Sequence, residues 1–320
     1  MRGVNPDGYA HLAPLLFLES HSQVSPLLSL MEGTLQLADC PLLVLSCDAY
    51  CDLWEPFFGL LRLHWPDCPM EIFLGAETVE FNAPNVRTLL SGPGKDWSQR
   101  VIWYLEQIEK PFVLVMLEDF FLRQRVSNSM IGECLEFANM NRAIQVRLIP
   151  RPKPTVPISG EKLIGVSEKG SPYRLCTQAA IWNRLSLIGL LHEGESIWDF
   201  ERNGNVRASS YDTGFYSVWR QALPYGGFLS HHVIEKGCWL GHQKWIFGRR
   251  NLGCDFSKRA TLPLVQTVIY QFANGMNRAL DIFPWKLKAG IKRSIRLFLG
   301  PLLGGSFERL SKSAADQKRS

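Results

Sequence analysis

The chain has 320 residues, 46% of them hydrophobic and 20% charged, as is usual for a globular protein with one large core or two small ones. Its eight cysteines form no CxxC pair, a pattern that indicates reduced thiols and argues against a disulfide framework or a zinc site. The longest apolar runs are far shorter than the ~20 residues that a membrane-spanning helix needs.

The net charge of +5 at pH 7 is unevenly distributed. Residues 284–320 contain nine Lys or Arg against Glu308 and Asp316, a net charge of +7, so residues 1–283 carry −2. A nearly neutral body with a basic tail does not support a general nucleic-acid-binding surface, and we expect no nucleic-acid partner.

The first forty residues contain an apolar stretch, residues 12–30, that resembles a secretory signal only faintly. Glu19, His21 and Pro26 interrupt it, and Arg2 is the only basic residue before it. We therefore interpret residues 1–40 as an N-terminal extension.

Strands and helices alternate from residue 41 onward. The apolar run at 41–47 predicts a buried strand that ends on Asp48, and apolar residues at three- and four-residue spacing in 52–65 predict an amphipathic helix. Residues 70–75 and 85–90 predict two further strands.

The next predicted pair is a helix and a central strand. The loop SGPGKDWS offers Asp96 or Ser98 as the N-cap of a helix over residues 99–109. In PFVLVMLEDFFL, residues 112–117 then predict a strand buried on both faces, ending on Glu118 and Asp119. The carboxyl ends of such strands are where ligands bind in open α/β sheets, and a carboxylate pair there can hold Mg2+ or Mn2+. The alternative is an acidic pair that only opens the next loop.

Further elements complete an α/β pattern. They are a helix over 128–142, a strand at 146–150, a proline-rich loop at 151–160, a short strand at 163–168, a helix near 179–191 and an acidic segment ending in a turn, 192–204. The alternation predicts a mixed, mostly parallel sheet flanked by helices.

Acidic residues occur at three points that could meet in one cleft. They are Asp48, the pair Glu118 and Asp119, and the group Glu195, Asp199 and Glu201 in GESIWDFE. Trp198 and Phe200 interleave with the last group, which favours a partly desolvated carboxylate able to act as a general base. The alternatives are a helix cap for Asp48 and a solvated acidic turn for GESIWDFE.

The order of several motifs resembles that of bacterial glycosyltransferase-like proteins of the GT-A type, found in cell-surface polysaccharide synthesis. The resemblance covers residues 41–245 and lies in LSCDAYCDLWEPFF, WPDCPMEIFLG, DWSQR, VLVMLEDFFL, LCTQAAIWN and ESIWDFE. It implies a Rossmann-like GT-A sheet, a nucleotide-sugar donor and a saccharide or lipid-linked acceptor. The implied donor-binding residues are Ser46, Asp48, Glu118 and Asp119, and the implied base is Asp199 or Glu201.

The central motif departs from the family pattern, because Glu118-Asp119-Phe120 replaces Asp-x-Asp. The resemblance implies Mn2+ or Mg2+ on Glu118 and Asp119, but this departure leaves metal dependence open; Asp119 could instead bind the donor sugar directly. Arg100 could neutralise the departing diphosphate, or it could be an exposed helical arginine.

Two residues in LCTQAAIWN are candidates for acceptor binding. Gln178 offers a donor and an acceptor to sugar hydroxyls, and Trp182 could stack on a sugar ring or belong to the core. His231, His232 and His242 lack the spacing of a zinc site.

The basic tail carries a separate signal. Residues 284–302 place apolar side chains on one helical face with Lys and Arg beside it, a pattern typical of helices on anionic membranes. The alternative is a helix docked on the protein's own core. We predict three regions: the extension 1–40, a catalytic domain at 41–250, and a helical, basic C-terminal extension at 251–320.

The sequence thus favours a cytoplasmic glycosyltransferase, peripheral on the inner face of the cell membrane and inverting by direct displacement. Two alternatives stay open: an inactive GT-A-like partner in polysaccharide assembly, and a sugar nucleotidyltransferase. The absence of a glycine-rich phosphate loop after the first strand argues against the nucleotidyltransferase.

Overall fold

The computed structural model describes residues 35–225, 232–235, 237–249 and 255–280, together with residues 283, 286, 287, 290 and 291. Its strands are β1 Leu42–Leu45, β2 Ile72–Ala76, β3 Val86–Leu90, β4 Phe112–Leu117, β5 Gln145–Arg147, β6 Val156–Pro157, β7 Ile164–Val166, β8 Ala180–Asn183, β9 Phe215–Val218, β10 Ile234–Glu235 and β11 Cys238–Trp239. Its α-helices are α1 Trp54–His64, α2 Trp97–Glu106, α3 Asn128–Met140, α4 Arg184–Leu190, α5 Ile197–Ala208, α6 Gly241–Gly248 and α7 Leu264–Ala279. Short 3-10 turns cover Leu37–Asp39 and Asp48–Leu53.

Within these described ranges, nine strands form one sheet in the order β3-β2-β1-β4-β8-β5-β9-β7-β6. The pairs β3-β2, β2-β1, β1-β4 and β5-β9 are parallel, whereas β8 and β7 run antiparallel to both of their neighbours. The predicted α/β class, a mixed and mostly parallel sheet flanked by helices, is confirmed. A second sheet is the hairpin β10-β11.

The central strands are covered on both faces. In β1, Leu42 and Val44 belong to a core formed with α1 and α3, whereas Leu43 and Leu45 face a second core formed with α2, α4 and α5. Because both faces are buried, every residue of β1 is apolar, which is why this strand reads as a continuous hydrophobic run.

Two predicted elements were wrong. Residues 180–183, predicted as the start of a helix, form β8 between β4 and β5, because Ile181 and Trp182 are buried on opposite faces of the sheet. The helix begins only at Arg184, where the Asn183 side chain accepts a hydrogen bond from the Ser186 N–H.

The second error concerns the predicted acidic turn, which is helix α5. Ser196 and Asp199 form a capping box, each side chain accepting from the other's backbone N–H. The Ser-x-x-Asp spacing is typical of a helix start. The many acidic residues in this segment led instead to the prediction of a turn.

Strand directions bring separate segments to one edge of the sheet. Because β1, β2 and β4 are parallel, the residues after Leu45, Ala76 and Leu117 lie at the same edge. The antiparallel strand β8 has Ala180 opposite Val115, so the segment before Ala180 also lies there. This shared boundary, called here the ligand edge, is where the candidate site is found.

Candidate active site

Glu118 and Asp119 occupy the tight turn that follows β4 at the ligand edge. The Phe120 N–H donates to the Leu117 carbonyl over 3.2 Å, and the Val233 N–H donates to the Asp119 carbonyl over 2.9 Å. Phe120 packs edge-on against Tyr225, with ring centroids 4.7 Å apart. These contacts fix the turn, so that the two carboxyl groups are held at the end of a rigid strand.

The carboxyl group of Glu118 is buried next to a second negative charge. Burial and the neighbouring charge of Asp119 raise the pKa of Glu118 from an ordinary 4.5 to about 8, although Arg259 and a hydrogen bond with Ser46 act in the opposite direction. Near neutral pH the Glu118 carboxyl group is therefore mostly protonated.

Arg259 supplies a positive charge beside the pair. Its Nε and Nη2 atoms donate to the two oxygens of Asp52 over 2.7 and 2.6 Å, and Nη2 also donates to the Ala49 carbonyl. Its guanidinium lies 4.3 Å from the ring centroid of Tyr50. Burial, followed by the charges of Glu118 and Asp119, raises the pKa of Tyr50. Sequence reasoning missed Arg259, which lies more than 200 residues from its carboxylate partner along the chain.

A histidine network borders the other side of Asp119. His232 Nε2 lies 2.8 Å from the Tyr270 hydroxyl and 3.1 Å from the Glu235 carboxylate. Burial lowers the pKa of His232, but the hydrogen bond with Glu235 and the charge of Asp119 outweigh it, so the pKa is raised. The site therefore places a readily protonated imidazole near Asp119.

Asp48 is held by the loop after β2. Its carboxylate accepts from the backbone N–H groups of Glu77, Thr78 and Val79 over 3.1–3.2 Å and from the Thr78 hydroxyl over 2.6 Å. Burial raises its pKa, but these hydrogen bonds and the charge of Arg100 bring the pKa below its ordinary value. Asp48 is the first residue of a 3-10 turn whose N-cap is Cys47.

Arg100 belongs to the same network as Asp48. It forms an ion pair with Glu77, whose carboxylate also accepts from the Asp48 N–H. The Arg100 Nε is buried without a hydrogen-bond partner. The predicted donor-binding residues thus form two groups: Asp48 after β1 with Arg100 on α2, and Ser46 after β1 with Glu118 and Asp119 after β4.

Ser46 connects β1 to the carboxylate pair. Its hydroxyl accepts from the Trp54 Nε1–H over 2.7 Å and donates to the Cys47 carbonyl over 3.5 Å, and Ser46 also acts to lower the pKa of Glu118. It therefore lies at the ligand edge close to the acidic turn.

The two predicted bases lie on α5 in different environments. Asp199 accepts from the backbone N–H and the hydroxyl of Ser196 and pairs with Arg202; the Ser196 hydroxyl is the main reason that its pKa is lowered. Glu201 Oε1 accepts from the Thr177 N–H and hydroxyl, both over 2.7 Å. Glu201 therefore reaches the segment that enters β8, whereas Asp199 caps its own helix.

Because of the register of β8, Gln178 and Trp182 lie in different environments. Trp182 pairs with Val113 and Gln145 and is buried in the core, so its ring faces are covered by protein. Gln178 lies two residues before Ala180, on the ligand-edge side of the strand, and its Oε1 is buried without a hydrogen-bond partner.

A divalent cation would find only a small set of protein ligands here. Within the described ranges, no cluster of three or more His, Cys, Asp or Glu side chains is arranged to hold a metal ion. Glu118 and Asp119 supply two carboxylates, and Phe120, packed on Tyr225, supplies none. Such a pair fits Mg2+ or Mn2+ only where phosphate oxygens or water complete the coordination.

Comparisons with known proteins complete the description. No protein-family model and no curated protein matches the sequence. Among solved structures, the chain is similar to galactosyltransferase LgtC in complex with donor and acceptor sugar analogues (TM-score 0.33, 9% identity, covering 54% of this chain and 71% of that one). It is also similar to S. aureus TarS 1-349 (0.38, 11%, covering 74% and 70%) and to the bifunctional IspDF from Campylobacter jejuni (0.30, 13%, covering 52% and 47%). The chain thus spans about half the length of IspDF. At these TM-scores the similarities assign no activity.

Proposed function

We propose that the chain is a GT-A-like glycosyltransferase that moves a sugar from a nucleotide-sugar donor to a hydroxyl of a polysaccharide or lipid-linked acceptor. The observation that carries the proposal is the buried Glu118 beside the half-buried Asp119 at the carboxyl end of β4. Burial and the charge of Asp119 raise the pKa of Glu118 there, and perturbed carboxyl groups at this edge of an α/β sheet are typical of ligand sites.

In this proposal Asp119 binds the donor at its sugar or diphosphate, Glu118 supports it, and Ser46 orients Glu118. Glu118 and Asp119 would be the residues that hold Mn2+ or Mg2+, and the ion would supply positive charge that stabilises the leaving diphosphate. Asp48 and Arg100 form the adjoining wall on the nucleoside side. Arg259 adds positive charge next to Glu118.

For the transfer step we propose inversion by direct displacement. The acceptor oxygen forms a bond to the anomeric carbon, the bond from that carbon to the diphosphate oxygen breaks with its electron pair, and a base accepts the hydroxyl proton. Of the two candidate bases we favour Glu201, because its carboxylate reaches Thr177, next to Gln178 at the ligand edge. The oxygens of Asp199 are bound by Ser196 and Arg202.

The proposal is tested by thermal unfolding with nucleoside diphosphates and nucleotide sugars, with and without Mn2+. A ligand that binds the folded state raises the melting temperature, so we expect at least one nucleoside diphosphate to stabilise the wild type. Asp119→Asn should abolish that shift, whereas Asp212→Asn, at an exposed carboxylate paired with Lys169, should retain it.

Other outcomes separate the alternatives. If no nucleotide shifts the melting temperature, the glycosyltransferase proposal is wrong and a non-enzymatic assembly role gains support. Such a role is consistent with Phe120 standing where the family motif has a carboxylate. A preference for a nucleoside triphosphate would instead indicate a sugar nucleotidyltransferase.

A further inference from the structure

Among the described side chains of helix α7, three polar ones contact neighbouring segments. The Thr267 hydroxyl donates to the Leu262 carbonyl over 3.2 Å. The Tyr270 hydroxyl lies 2.8 Å from His232 Nε2, and Gln271 Nε2 lies 3.1 Å from His242 Nδ1.

Four apolar side chains of α7 are exposed. Those of Leu264, Val265, Val268 and Phe272 are between 55 and 79% exposed. Arg278 is the only charged residue in the sequence of α7. Single exposed apolar residues are common, but a group of four on one helix with a single charged residue marks a surface that another body covers.

We propose that α7 is an interfacial helix whose outward apolar side chains enter the surface of an anionic membrane. The charge of the following segment favours a lipid partner: residues 284–302 contain five Lys or Arg and no Asp or Glu. Each such charge near an anionic leaflet strengthens binding. A second copy of the chain carries the same basic segment, so it offers this one no complementary charge.

Length and geometry fit a helix that lies in the plane of the bilayer surface. Across the ranges that the structure describes, no helix is long and apolar enough to cross a membrane. An amphipathic helix that keeps one side on the protein can bury its other side at the boundary between headgroups and acyl chains. Residues 284–302, which the sequence pattern assigns to the membrane, lie outside the described ranges except for four positions.

Helix α6 adds an aromatic and basic pair beside α7. His242, which contacts α7, is followed at i+3 and i+7 on the same helix face by Trp245 and Arg249. Trp245 is 60% exposed, and the guanidinium of Arg249 lies 4.0 Å from its ring centroid. Tryptophan and arginine are the side chains that prefer the interface between membrane and water.

The location of α7 also bears on the acceptor. Tyr270 hydrogen-bonds His232, and the charge of Asp119 acts on the same imidazole. The face that we assign to the membrane is therefore on the helix next to the proposed donor site. Resting on the proposed function, this placement identifies the acceptor as a hydroxyl carried by a membrane lipid.

The test is co-sedimentation of the full chain with vesicles of phosphatidylcholine containing phosphatidylglycerol, compared with phosphatidylcholine alone. We expect binding to the anionic vesicles that weakens as salt is added. Val268→Gln and Phe272→Gln should each weaken it by about tenfold or more, because each removes a buried apolar side chain from the bilayer. The matched control is Val206→Gln on α5, since Val206 and Phe272 are both 73% exposed.

Three results would overturn the proposal: no binding to anionic vesicles, equal binding by all variants, or self-association that the α7 substitutions abolish. A loss of thermal stability in Val268→Gln and Phe272→Gln with vesicle binding unchanged would show that another part of the chain covers α7. The two proposals fail separately, because Asp119→Asn should still bind vesicles and Phe272→Gln should still respond to the nucleotide.

Discussion

Glu118 and Glu195 are equally buried, each with 8% exposure, yet their carboxyl groups are held in opposite ways. Glu195 receives two hydrogen bonds from Arg207, over 2.8 and 2.6 Å, and one from Asn203 over 2.9 Å, with Arg207 the main reason that its pKa is lowered. Burial and Asp119 raise the pKa of Glu118, and Arg259, its nearby cation, already binds Asp52 with two nitrogens.

In our proposal, this difference separates carboxylates that stabilise the fold from those that bind a ligand. A buried carboxylate with its own cation and hydrogen-bond donors is satisfied by the protein, and it fixes one element against another. One that shares its cation and adjoins a second carboxylate keeps a raised pKa, and a proton, a metal ion or a ligand would stabilise it. Sequence alone does not distinguish them, since both read as acidic residues beside apolar ones.

Glu201 provides the most severe test of this comparison. Its Oε1 accepts two hydrogen bonds from Thr177, yet we assign Glu201 as the base. Glu201→Gln should lower transfer by about 10²-fold or more and leave the nucleotide-induced thermal shift unchanged. Asp199→Asn on the same helix is the control and should transfer normally. Normal transfer by Glu201→Gln would show that a carboxylate bound within the protein is structural here too.

The next largest effect is the pH dependence of stability caused by Glu118. Because its folded pKa is raised to about 8, the unfolded state loses this proton first, and stability falls as pH rises from about 5 to about 8. Glu118→Gln should remove this decline and stabilise the protein at pH 8 by a few kcal/mol. Chemical unfolding across this pH range measures it, with the exposed Glu106→Gln as the control. Parallel curves for the wild type and Glu118→Gln would show that Glu118 ionises normally.

Glu195→Gln, in contrast to Glu118→Gln, should lower the stability of the protein. It should have no effect on the candidate active site. It leaves the Arg207 guanidinium without its charged partner, which we expect to cost about 2 kcal/mol in urea unfolding. The nucleotide-induced shift should be unchanged. The control is Glu193→Gln, an exposed neighbour that contacts Gln99 over 3.3 Å. An altered nucleotide response in Glu195→Gln would contradict the division drawn here.

The smallest effect is expected at the cap of α5. Asp199→Ala removes one half of the capping box and a charge near the helix amino end, so it should lower the free energy of unfolding by about 0.5–1 kcal/mol. Asp212→Ala provides the reference for an exposed carboxylate. A loss of several kcal/mol would mean that Asp199 makes contacts beyond its own helix turn.

The strands and the location of the acidic pair could be predicted because a strand that is buried on both faces appears in the sequence as a continuous apolar run. β1 and β4 are short apolar runs, and each ends on polar residues at the ligand edge. The helix starts at Asp96 and Ser127 carry ordinary capping residues. Such features depend on neighbours in the chain, which the sequence shows directly.

The surroundings of the pair could not be predicted, because they depend on distant contacts. Arg259 reaches Asp52 from across the chain, and His232, considered only as a zinc ligand, instead bonds Tyr270 and Glu235. Trp182 shows the same limit: a short apolar segment fits a helix or a strand equally, and only pairing with β4 and β5 decides.

The hydrogen bond between Tyr270 and His232 has a thermodynamic consequence. If lipid binding to α7 changes the position of His232, and with it the field at Asp119, then donor affinity and membrane affinity are linked. Linkage is reciprocal: whatever factor the vesicle applies to donor binding, the donor must apply to vesicle binding. An enzyme built in this way would be retained at the membrane more strongly when it carries its donor, and Tyr270→Phe would uncouple the two equilibria while leaving each intact.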